Sequence, residues 1–170
     1  MKPSYAARLL CRLMGAAMLA ATGASVGAQP PTEGKYDFTA CWSGTSDAIS
    51  FSKSHVAYTY DLSGANLSNP PGGMFDHVDF HCIGLATVFA GKVMQTTLCE
   101  GVDPDGDKTL TRFDEDGQHG KRVFLEGTGK YAGMVSTGTQ EPLGKFVPVR
   151  PGTFQGCNRQ TGTYKMRAAN

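Results

Sequence analysis

Beyond residue 35 no window of this sequence sustains apolar residues at helical spacing for three turns, which excludes a helical bundle there. Charge of one sign is missing too: 16 Lys+Arg stand against 15 Asp+Glu in 170 residues. That balance excludes a basic nucleic-acid arm and an acidic disordered tail. There is no Cys-x-x-Cys, so a structural zinc or a thioredoxin-type motif has no support. Without Gly-x-Ser-x-Gly there is no nucleophile elbow, and without Gly-x-Gly-x-x-Gly there is no dinucleotide loop. No cofactor, no resident metal and no nucleic-acid partner are expected.

What is present begins with a secretory signal. Lys2, Arg8 and Arg12 precede an apolar run from Leu13 to Ala24, and Val26-Gly27-Ala28 precedes the expected cleavage bond. The run is about 12 residues, short of the roughly 20 that span a bilayer. Residues 1–28 are therefore read as a signal peptide, and the protein as periplasmic or extracellular. Removing them takes away three bases and no acid, leaving 13 bases against 15 acids. Residues 29–35 read as a mobile leader and residues 36–170 as one domain.

Gly, Pro, Asn and Asp punctuate that domain every 8–12 residues, the pattern of an all-β sandwich or barrel. Expected strands are 36–43, 49–61, 77–89, 92–102, 109–113, 122–126, 134–139, and 154–158 with 163–166. Ser63–Asn66 and Asn69–Gly73 read as one long loop. Asp103–Asp107 and Asp114–Gly117 read as hairpin tips.

Four cysteines remain after the signal, Cys41, Cys82, Cys99 and Cys157, an even count that favours two disulfides with three possible connectivities. A turn at Ala90-Gly91 with Phe89 facing Lys92 places Cys82 opposite Cys99, a geometry that suits a cross-strand bond. Cys41–Cys157 then joins the first strand to one of the last, as barrel closure requires. The same register separates two faces. His81, Ile83, Leu85, Thr87 and Phe89 oppose Lys92, Met94, Thr96, Leu98 and Glu100. This is the bulkier apolar set, so it is assigned to the interior, with Leu85, Phe89, Met94 and Leu98 as ligand contacts.

His77, Asp79 and His81 alternate along one expected strand and share its face. His81 opposite Glu100 makes a candidate catalytic pair able to move a proton near neutral pH. A solvated strand end with a surface ion pair is the plain alternative. Asp103-x-Asp105-x-Asp107 follows the start of a calcium loop, but Lys108 stands where glycine is needed, so a hairpin tip is preferred. Trp42 reads as a core plug or barrel-bottom residue, and Tyr36, Tyr58, Tyr60, Tyr131 and Tyr164 as core and rim packing.

Glu126-Gly127-Thr128-Gly129-Lys130-Tyr131-Ala132-Gly133-Met134 resembles the Gly-Thr-Gly-Lys-aromatic-x-Gly segment of allene oxide cyclase-like and dirigent-like barrels. Gly162-Thr163-Tyr164-Lys165-Met166 is similar to that family's closing strand. The resemblance implies a small antiparallel, calycin-like barrel of about eight strands that holds a hydrophobic small molecule, with Tyr131 as a cap and a further ligand contact. Three roles follow as expectations. The first is an exported barrel that binds an apolar ligand, without catalysis or by steering it. The second is a cofactor-free isomerase or cyclase. The third is a filled barrel acting as a structural or interaction module.

Overall fold

A computed structural model of the chain describes residues 31–116 and 120–167. The expected signal, residues 1–28, lies outside the described residues, as does Gly117. Eight strands follow in order: β1 (Glu33–Ser52), β2 (His55–Ser68), β3 (Asp79–Phe89), β4 (Lys92–Val102), β5 (Lys108–Glu115), β6 (Gly120–Gly127), β7 (Met134–Pro142) and β8 (Thr153–Met166). One 3-10 turn, Gly129–Tyr131, precedes β7. There is no α-helix among the described residues, and no helix long and apolar enough to cross a membrane.

The strands form one antiparallel sheet in the order β6-β5-β4-β3-β2-β1-β8-β7, which curls into a nearly closed barrel. First and last strands pair, and the seam falls between β6 and β7. A Gln140 amide donates across that seam to Glu115 Oε1 at 2.9 Å. Cys41–Cys157 joins β1 to β8 and Cys82–Cys99 joins β3 to β4, each at a directly opposed pair. Cys41–Cys157 spans 116 residues, a loop whose closure contributes about 4–5 kcal/mol in the chain-entropy model.

Several strands are longer than local pattern suggests. β1 begins at Glu33 and runs to Ser52, turning at Lys53-Ser54, so 33–35 is strand rather than leader and no new strand starts at Ile49. β2 continues through Ser63–Ser68, expected as loop, because Gly64 lies bare beneath the Phe80 ring and Asn66 pairs with Ala40. β8 is unbroken through Gly162, which lies beneath Tyr36. In β2 and β8 a glycine that reads as a turn signal is the slot for an aromatic ring on a neighbouring strand.

Tyr36, Phe38, Phe75, Val78, Tyr131, Met134 and Tyr164 make a core cluster at one end of the barrel. Phe75, from the segment between β2 and β3, stands inside it and stacks on Tyr131 with ring centres 5.8 Å apart. The segment is pinned by Asp76, whose carboxylate accepts from the backbone N–H of Ser68 (2.8 Å) and Gly72 (2.7 Å). Those same hydrogen bonds hold its pKa below the ordinary carboxylate range.

Candidate functional site

The predicted register of β3 and β4 holds residue for residue, from Phe89 opposite Lys92 to Cys82 opposite Cys99. The assignment of faces does not. Leu85 (51% exposed), Phe89 (51%), Met94 (61%) and Leu98 (38%) lie on the outside of the barrel, and Cys82 (3%) and Ala86 (0%) lie inside. The reason is steric. The interior is occupied by large side chains from β1 and β2, and β3 and β4 must present small ones against them. Tyr60 lies over Gly84, and Trp42 lies over Gly156 of β8. Bulk on one strand pair was therefore the wrong guide to which face is buried.

His81 and Glu100 follow their strands outward. His81 Nε2 lies 3.0 Å from Asp61 Oδ1 and Glu100 Oε1 accepts from Lys108 Nζ at 2.7 Å, all on exposed side chains. The Lys108 hydrogen bond lowers the Glu100 pKa. Neither residue lines the interior, so the expected inward acid–base pair is an outer-surface pair of ion contacts. His77 is not on β3: it sits in the preceding segment at φ 54°, with its Nδ1 3.0 Å from Asp76 Oδ2. It therefore does not share a strand face with Asp79 and His81.

Tyr131 is fully buried, and its hydroxyl donates to the Met74 carbonyl at 3.0 Å. Burial pushes its phenol pKa well up. It caps the core beneath Phe75 and does not line the cavity.

Asp103–Asp107 is the expected hairpin tip. Asp103 Oδ1 accepts from the N–H groups of Asp105 and Asp107, both at 2.9 Å. Its other oxygen lies 2.6 Å from Lys130 Nζ, which also reaches Asp105 Oδ2 at 3.1 Å. A tethered ammonium thus stands among the carboxylates, tying this tip to the 3-10 turn. Burial pushes the Asp103 pKa up, but Lys130 and the backbone donors outweigh it and the net shift is downward.

Above the core cluster the barrel holds a cavity of about 510 Å³. Trp42, Tyr58, Tyr60, Leu62, Phe80 and Phe154 form its apolar wall. A polar strip also lines it: Gln160 donates to Asn158 Oδ1 (3.2 Å), Asn158 to Gln140 Oε1 (3.2 Å), and Gln140 to Glu115. Tyr60 and Thr97 share a hydrogen bond between their hydroxyls. Burial raises the Tyr60 pKa, and that hydrogen bond only partly opposes it. Arg122, on β6, faces the same space, with its guanidinium carbon 5.0 Å from the Phe75 ring centre and 5.2 Å from that of Tyr36. Burial pushes its pKa down, and the neighbouring Tyr36 hydroxyl offsets this only in part.

Sequence reasoning missed Arg122, Glu115, Gln140, Asn158 and the cavity-facing position of Trp42. The signal that finds them is parity: with Cys82 inward, the paired registers carry the inner face to Thr97, Phe113 and Arg122 in turn. The fold and site define an all-β barrel with an internal, largely aromatic cavity. No protein-family model matches the chain, and no curated protein and no solved structure matches it either.

Proposed function

We propose that the protein is an exported barrel that binds a hydrophobic small molecule in its interior. The observation that carries this reading is the cavity of about 510 Å³ between Trp42, Tyr60, Phe80 and Phe154, a volume in the range of small-molecule sites. Such a wall gains from covering apolar surface and fixes the orientation of a bound molecule, so binding and steering are both within its reach. The likeness of Gly127–Gly133 to allene oxide cyclase-like barrels supports the same class of ligand. Two disulfides suit an oxidising compartment, which supports export.

Native mass spectrometry of the protein purified gently from its own host tests this. The expected spectrum shows a chain beginning near Gln29, two disulfides and a small molecule lost on denaturation. A chain retaining residues 1–28 would overturn export. A ligand-free protein that takes up no neutral aromatic dye would overturn binding.

A further inference from the structure

Among the described residues, the Arg122 guanidinium is an interior charge whose role the barrel's own packing leaves open. Its Nε and Nη1 are buried and have no hydrogen-bond partner among the described residues. No carboxylate is ion-paired with it among them. Three rings surround it, with centres at 5.0 Å (Phe75), 5.2 Å (Tyr36) and 5.9 Å (Phe38). Ring faces attract a cation but accept no ordinary hydrogen bond, and the Tyr36 hydroxyl beside the guanidinium leaves Nε and Nη1 without a partner. A guanidinium cannot shed its charge to escape burial, as a lysine can. Glu115 is the carboxylate lining the cavity among the described residues, and it takes the Gln140 amide instead. Buried charges are ordinarily paired, and Arg122 lines the cavity, so its guanidinium calls for an acceptor from outside the chain.

We infer that Arg122 is an anion receptor at the inner end of the cavity, and that the ligand is an apolar-bodied organic acid whose oxyanion meets this guanidinium. The inference rests on the proposed reading that the cavity holds a small molecule. It adds the charge of that molecule and its direction. The acid group enters first, toward Phe75, and the apolar body lies against Trp42, Tyr60 and Phe154. A free inorganic anion would meet the charge but leave the aromatic wall uncovered.

Two dyes with the same anilinonaphthalene body separate these contributions: 8-anilinonaphthalene-1-sulfonate and neutral N-phenyl-1-naphthylamine. The sulfonate dye is expected to bind the wild-type protein at least about tenfold more tightly, the range of one charge-assisted hydrogen bond. Arg122→Met is expected to remove that preference and leave the neutral dye's affinity within about twofold. Arg122→Lys should keep part of the preference. Equal binding of both dyes by the wild type, or a sulfonate affinity untouched by Arg122→Met, would overturn the receptor while leaving the cavity reading intact. Failure of both dyes to bind would remove the cavity reading, and this inference with it. If Arg122→Met does not fold, the wild-type ratio decides.

Discussion

A glycine beneath an interior ring sets how closely neighbouring strands of this barrel approach. At Gly162 an added Cβ would meet the Thr137 carbonyl and the Tyr36 ring, both held in place by the sheet and the core. Gly162→Ala is therefore expected to lower stability by about 1–3 kcal/mol, the usual cost of overpacking. Urea unfolding measures it, and an unchanged midpoint would mean that β7 and β8 yield more readily than their pairing suggests. Such slots were legible in the sequence only as turn signals. Gly64 and Gly162 read as breaks because a glycine's missing side chain looks alike in a turn and under a ring. Arg122 was hidden for a different reason. It stands among Lys121 and Val123 like any strand-surface base, and its burial comes from Phe75, which arrives from a segment nearly fifty residues earlier.

At the scale of elements, the β3–β4 hairpin shows what local chemistry decides and what it leaves open. The Ala90-Gly91 turn, with both residues at positive φ, fixed the pairing and with it the Cys82–Cys99 bond. Which face turns inward depends on the large side chains of β2 beside the hairpin and of β1 beyond it, information the hairpin does not contain. The tip between β4 and β5 is a second self-contained device. Asp103 is clamped by Lys130, and its folded pKa lies below the ordinary value because the ion pair and backbone donors outweigh burial. A depressed carboxylate contributes stability that is fully present above its unfolded pKa, about 3.9. That stability is lost as pH falls from there through the folded value. Asp103→Asn is expected to cost about 1–3 kcal/mol at neutral pH. It should also flatten the loss of stability below about pH 4. Asp37, Asp76 and Glu100 are shifted the same way and leave part of the acid limb in place. Denaturant midpoints at several pH values read both effects, and an acid limb identical to wild type would contradict the role given to Asp103.

The whole molecule is a sheet that nearly closes, stapled across its first and last strands, with a dense core at one end and an aromatic cavity above it. The all-β class, the strand count and both disulfides follow from punctuation, cysteine parity and hairpin register. The cavity does not, since its wall joins residues from β1, β2, β3 and β8 that no local window brings together. The outer stripe of Ile83, Leu85, Phe89, Met94 and Leu98 is left exposed by the same arithmetic that makes the interior fit. The central claim is that the barrel interior takes up an apolar molecule, and the chain's single tryptophan, Trp42, stands in that interior wall. Titration with N-phenyl-1-naphthylamine while following Trp42 emission tests it most directly. The account predicts saturable uptake of one dye per barrel, with Trp42 emission quenched in step. Dye that binds without saturating, or that saturates while Trp42 emission stays unchanged, would place the apolar site on the outer stripe and contradict the account.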